Sequence, residues 1–235
     1  MKKVTIELFG LQLQEPSTYL SDIFLCALSL LLFYQLISRN KSQYTKIFAG
    51  FFLFMGLSTL TGGQAHLFSL YIPHNYFHVL AWSFSSVALY FFQVASYYDY
   101  SDKVKKILNP IFLAQLVISV GVYFGYQLWG NFEHDPSRVG VPGFGAVSVS
   151  AGIAMAGFVM PAHLIRFIKL KDNGSAIILL GLVTSVGALI VHSRHWGINE
   201  YFNYNVMSHV ILGGCYYIYY IGVKTKVQQY ALANS

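Results

Sequence analysis

Seven long apolar runs, separated by short polar stretches, set the pattern of this chain. They cover about residues 18–38, 47–70, 76–98, 107–129, 144–168, 174–194 and 205–223. Each has roughly the 20 residues that an α-helix needs to cross the hydrocarbon of a bilayer. The loops between them are too short for a soluble module. The pattern therefore predicts an all-α fold, a seven-transmembrane helix bundle forming one domain over residues 1–235, with no internal repeat. Ahead of the first run, residues 4–13 alternate apolar and polar either side of Gly10. That alternation fits a short hairpin or a strip lying on the outer surface. Pro161 predicts a kink or break in the fifth span.

Composition agrees with the pattern. The chain is 55% hydrophobic and only 10% charged, where a soluble domain carries about 25% charged residues. The net charge of +6 matters less than where the cations fall. With seven spans, Arg39, Lys41, Lys46, Lys103, Lys105, Lys106, Arg166, Lys169, Lys171, Lys224 and Lys226 share one face, eleven in all. Lys2, Lys3, Arg138 and Arg194, four in all, share the other. The positive-inside rule makes the first face cytoplasmic, with the N-terminus outside and the C-terminus cytoplasmic. The basic balance is thus topogenic and calls for no nucleic acid. Residues 1–17 lack the apolar segment of a cleavable signal, so the first span acts as its own anchor. Cys26 and Cys215 both fall inside spans, which predicts small apolar packing and no disulfide. The expected location is a multi-pass position in the cytoplasmic (inner) membrane of a bacterium.

Polar positions inside the runs carry the candidate chemistry. Asp22 lies about one turn into span 1, either as a helix-start carboxylate favoured by the dipole or as an acid buried in the outer half of the bundle. Span 2 holds Gly62-Gly63-Gln64-Ala65-His66 near its outer end, with the glycines placed for close helix packing. Span 3 opens with His78, and Trp82 and Ser85/Ser86 follow it at helical spacing as an inward stripe. Gln115, Ser119, Tyr123 and Tyr126 of span 4 read as interhelical hydrogen-bonding groups. Residues 130–144, with Glu133, His134, Asp135 and Arg138, form the longest outside loop, a candidate lid or rim. His192 and His195 end span 6, while Asn205 and His209 begin span 7. His163 lies toward the cytoplasm, at a different depth. The run Tyr216 to Tyr220 reads as an interfacial aromatic belt.

The spans alternate in direction, so Asp22, His66, His78, His192, His195, Asn205 and His209 all fall in the outer leaflet, contributed by five helices. Random placement would scatter such groups over both leaflets, and ionisable residues within membranes usually mark a site. Neutral imidazole is the commonest zinc ligand, and a catalytic zinc takes three protein ligands and one water. His66, His209 and one of His78, His192 or His195 can supply three. Asp22 or Asn205 would then orient a ligand or serve as base. Such an ion lowers the pKa of its water to about 7 and permits hydrolysis at neutral pH.

Ser-x-x-x-His on span 2, an Asp near the start of span 3 and His-x-x-x-His on span 7 mark the alkaline ceramidase and adiponectin/progestin receptor superfamily of seven-span membrane hydrolases. The chain resembles that pattern. Gly62-x-x-x-His66 stands at the span 2 position, His78 near the expected Asp, and Asn205-x-x-x-His209 at the span 7 position. Only His66 and His209 match outright, and His192 and His195 have no counterpart. The resemblance implies a zinc-binding seven-helix fold and cleavage of a lipid amide.

The reading that follows is a zinc-dependent membrane hydrolase acting on a lipid amide or ester at the outer leaflet, with Arg194 steadying an anionic head group. Its rival is a non-catalytic seven-helix membrane protein whose polar cluster binds a lipid or a protein partner, the latter a second copy or another membrane protein. A third reading, haem ligation by two histidines, is not demanded by any spacing present.

Overall fold

The computed structural model describes residues 4–39, 42–72, 74–129 and 143–233. Strands β1 (Thr5–Leu8) and β2 (Leu11–Gln14) pair antiparallel, with Leu8 opposite Leu11. Phe9 and Gly10 make the two-residue turn with φ of 51° and 75°, the mirror-image geometry that matches strand twist in tight hairpins. Of the two readings open for this stretch, the hairpin is the one formed. It packs on the end of the bundle, where Tyr71 accepts a bond from the Gln12 amide at 2.7 Å and Ser69 donates to the Gln14 side chain at 2.6 Å.

Among the described residues, seven helical spans are long and apolar enough to cross a membrane. They are α1 (Pro16–Arg39), α2 (Gln43–Leu67), α3 (His74–Ser96), α4 (Asp102–Trp129), a compound fifth span, α7 (Asn173–Ser193) and α8 (Tyr204–Ala233). The fifth span joins α5 (Phe144–Gly152) to α6 (Met160–Leu170) through a π-helical segment, Ile153–Val159. Pro161 lies two residues beyond that segment, at the start of α6. Proline has no N–H to donate and its ring collides with the carbonyl four residues back, and a widened turn relieves both problems. The last helix continues to Ala233, well past the expected end near residue 223, because side chains beyond the apolar run are tied into the bundle.

Consecutive spans pack side by side, and α1 against α8 closes the ring. The fifth span touches α3, α4 and α7. Starts are fixed by side-chain caps: Ser42 accepts from the Thr45 amide, Asp172 from Ser175, and Asn203 from Asn205 and Val206. Lipid tails are as apolar as leucine, so close packing drives association rather than burial. Gly174 and Gly222 accordingly meet across α7 and α8, where an added Cβ on Gly174 would lie 2.6 Å from the Gly222 carbonyl.

The core corrects one expectation. Tyr216, Tyr219 and Tyr220 are buried with Phe48, Phe51, Phe52 and Phe92, and only Tyr217 of that run is exposed. Phe51 meets both Tyr216 and Tyr219 edge-on at 5.9 Å. The run is a core stripe, since helical periodicity aims three of its four tyrosines inward. Cys26 and Cys215 are free and buried. The span 3 stripe points inward as read, with His78, Trp82 and Ser86 buried. The span 4 groups bond across helices: Gln93 donates to Gln115 at 2.9 Å, and Ser119 and Ser150 lie 2.6 Å apart. Of the candidate lid, residues 130–142, with Glu133, His134, Asp135 and Arg138, lie outside the described residues.

Candidate functional site

The hairpin end of the bundle holds two imidazole–carboxylate pairs. Glu15 sits at φ 46° between β2 and Pro16, 6% exposed, and its Oε2 is 3.1 Å from His66 Nδ1. The His66 ring meets the His78 ring edge-on at 5.4 Å, and His78 in turn stacks on Trp82 at 5.6 Å. Asp22 occupies the second turn of α1, 4% exposed, so the buried-acid alternative is the one the fold realises. Its Oδ1 lies 3.6 Å from His209 Nε2. The other nitrogen of that ring, Nδ1, lies 2.7 Å from Ser21 Oγ.

Close packing brings the pairs to one place. Gly63, one turn before His66 on α2, is pressed against Tyr19 and Asp22, and a Cβ there would come within 2.9 Å of the Asp22 Cβ. Gly63 therefore lets α1 approach α2 and carries Asp22 toward His66. His209 lies within electrostatic range of both His66 and His192. His192 rests between Phe144 and Tyr204, with ring centroids 4.7 and 5.2 Å away. His195 has φ 53°, is exposed and leans on Tyr204 at 4.7 Å. Arg194 beside it is also exposed. Asn205 is buried one turn before His209, and its amide is held by Asn203.

The structure thus joins Asp22, His66, His78 and His209, puts His192 beside them and leaves His195 at the rim. Glu15 and Ser21 complete the cluster and were missed by the sequence reading. Each had a faint signal, being an acid before the first helix and a hydroxyl adjoining Asp22. Among the described residues, no three His, Cys, Asp or Glu side chains are placed where one ion could touch them all. As they stand, His66 Nδ1 faces Glu15, and the two nitrogens of His209 face Ser21 and Asp22. The same donor types would need a third ligand moved toward His66 and His209 to hold an ion.

A second polar cluster occupies the opposite end. Arg166 Nε donates to Asp172 at 2.9 Å, and its Nη1 is 3.5 Å from Asp99. Lys226, 1% exposed, reaches Asp99 at 2.9 Å and lies 4.6 Å above the Tyr44 ring. Tyr230 donates to Asp99 at 2.6 Å and accepts from Arg166. Burial alone would raise the Asp99 carboxyl, but Lys226, the Tyr230 hydroxyl and Arg166 together hold it below the usual carboxylate value. Asp172 is likewise lowered against its burial by the Ser175 amide, Lys226 and Arg166. His163, fully buried, bridges Ser96 at 3.1 Å and Ser175 at 2.9 Å. Its position at this end agrees with the depth read from the sequence. Arg166 and Lys226 do not behave as loop cations, however, and removing those two from the eleven leaves nine against four.

No curated protein and no solved structure shows detectable similarity to the chain. A family model described as a family of unknown function, DUF6962, matches residues 17–228. That match takes in all seven spans and nearly the whole of both clusters, and the chain belongs to this family.

Proposed function

We propose that this multi-pass membrane protein is a hydrolase of a lipid amide or ester presented at the hairpin end of the bundle. The observation that carries the reading is the line Ser21 Oγ, His209, Asp22, with a hydroxyl 2.7 Å from one ring nitrogen and a carboxylate 3.6 Å from the other. A nucleophile touching a base that is flanked by an acid is the general arrangement for acyl transfer. In the proposed step Ser21 Oγ bonds to the substrate carbonyl carbon, and His209 Nδ1 takes the hydroxyl proton. The carbon–nitrogen or carbon–oxygen bond of the substrate then breaks, and His209 returns that proton to the departing amine or alcohol. Water repeats the sequence and frees the acid. Asp22 stabilises the transient imidazolium, and the Glu15–His66 pair stands ready beside it for proton exchange. Arg194, exposed at the rim, would meet an anionic head group.

A serine-directed fluorophosphonate should label the wild-type protein, and Ser21→Ala should lose labelling and at least about a hundredfold of any hydrolysis of a lipid amide and ester panel. Unlabelled wild-type protein, or an active Ser21→Ala, would overturn the Ser21 mechanism. The zinc-dependent form of the activity is checked in the same preparation by elemental analysis. About one zinc per chain, lost in His66→Ala and His209→Ala but kept in His163→Ala, would reinstate a metal site in place of the serine.

One observation favours the non-catalytic alternative, a polar network that binds a lipid or protein partner. Ser21 Oγ also lies 2.7 Å from the Thr18 carbonyl, and a hydroxyl has one proton to give. If Thr18 receives it, Ser21 is a structural back-bonding residue and His209 the donor. Absent labelling combined with a large loss of stability in Ser21→Ala would select that reading. The membrane we assign is the cytoplasmic membrane of a bacterium, with the hairpin outside, an orientation supported by the nine-to-four excess of basic residues that remains once Arg166 and Lys226 are set aside.

A further inference from the structure

A cavity of about 180 Å³ opens between α1, α2 and α8 at the basic end of the bundle. Its walls are largely apolar, formed by Leu36, Tyr220, Val223 and Val227, and Arg39 and Lys224 stand at its margin. No carboxylate lines it. These two cations differ in kind from Arg166 and Lys226, whose charges are consumed by Asp99 and Asp172. Among the described residues neither Arg39 nor Lys224 has an acidic partner within ion-pair distance, and both side chains are exposed. Two uncompensated cations above an apolar recess make a surface for an amphiphile with an anionic head.

We infer that this cavity binds an anionic phospholipid from the leaflet at the basic end, with its phosphate at the margin between Arg39 and Lys224 and the upper part of one acyl chain in the apolar recess. The recess, about 180 Å³, is too small for a whole lipid, and its apolar wall suits a short stretch of chain while the cations at its margin hold the phosphate. The remaining length of the tails would lie along the outward face of α1, where Leu31, Tyr34 and Ile37 are exposed. Basic pockets between spans on this side of a membrane are a recurrent way of holding acidic lipids. A free phosphate would gain the same charge contacts but nothing from the apolar wall, so the occupant is the lipid. This inference is independent of the proposed hydrolase at the other end.

The test is native mass spectrometry of the full chain in detergent, titrated with dioleoyl phosphatidylglycerol, dioleoyl phosphatidylcholine or inorganic phosphate. Phosphatidylglycerol should be retained as one tight adduct, while phosphatidylcholine should be lost on mild activation. Arg39→Gln and Lys224→Gln should each weaken the adduct about fivefold, the usual effect of one basic residue near an acidic lipid. Lys103→Gln/Lys106→Gln, which removes charge from the same face away from the cavity, should leave it unchanged. Equal retention of the two lipids, or an equal loss in the Lys103/Lys106 variant, would overturn the site. Displacement of the lipid by inorganic phosphate at millimolar concentration would overturn its assignment to a lipid.

Discussion

Replacing Lys226 by methionine tests whether the buried ionic cluster is a single balanced unit. The substitution keeps an unbranched side chain one atom shorter and removes the charge that faces Asp99 at 2.9 Å from a position 1% exposed. Removing one partner of a buried ion pair costs about 3–5 kcal/mol, because the remaining charge is left uncompensated. Here Asp99 keeps the Tyr230 hydroxyl at 2.6 Å and Arg166 at 3.5 Å, and its side chain is 21% exposed. The cost should therefore fall at the lower end, about 3 kcal/mol, more than a hundredfold in the folding equilibrium. Asp99→Asn should cost a similar amount, since it leaves Lys226 and Arg166 sharing Asp172 alone. The double variant Asp99→Asn/Lys226→Met removes one charge of each sign and restores the balance. It should be no less stable than either single variant, so the two effects are strongly non-additive. Reversible unfolding in mixed detergent micelles, followed by far-ultraviolet circular dichroism, measures all four proteins. A double variant whose cost equals the sum of the singles would refute the paired cluster. So would a Lys226→Met protein within about 0.5 kcal/mol of the parent, the range of an ordinary surface change.

Gly174→Ala should cost at least about 2 kcal/mol in the same assay, because its Cβ would meet the Lys226 Cβ at 2.5 Å and the Gly222 carbonyl at 2.6 Å. Gly121→Ala, where a Cβ meets nothing within 4 Å, should be neutral; equal effects would contradict the α7–α8 contact. Asp99 and Asp172 both have folded pKa values below their unfolded ones. Their contribution to stability is therefore complete above the unfolded carboxylate value of about 3.9 and lost as pH falls through the lower folded values. Acid unfolding of Asp172→Asn should show a shallower dependence below about pH 4 than the parent, and an unchanged slope would argue against that lowering. A reporter fused after Ser235 should read cytoplasmic and one placed between β1 and β2 external, with the opposite pattern inverting the orientation drawn from the basic residues.

The number of spans and the common depth of His66, His78, His192, His195 and His209 were legible in the sequence alone. Both depend only on run length and order: an apolar run of membrane length must form a helix that satisfies its own backbone, and alternating direction fixes which end each residue occupies. The hairpin alternation either side of Gly10 and the disruption ahead of Pro161 were legible for the same local reason. What the sequence left open was azimuth and partnership. Whether Asp22 is a solvated helix-start acid or a buried one depends on Gly63, a residue on a different helix, admitting α1. Tyr216, Tyr219 and Tyr220 belong to the core because Phe51 and Phe92 of two other spans meet them. Glu15 joined the site only when the hairpin folded back over α2, and Ser21 only when α8 came alongside α1. Arg166 and Lys226 look like interface cations until Asp99 and Asp172 arrive from two loops to neutralise them inside the bundle. In each case the deciding contact joins residues far apart in sequence. Local pattern specifies how a segment crosses the membrane, and only packing of the segments specifies what each polar group faces.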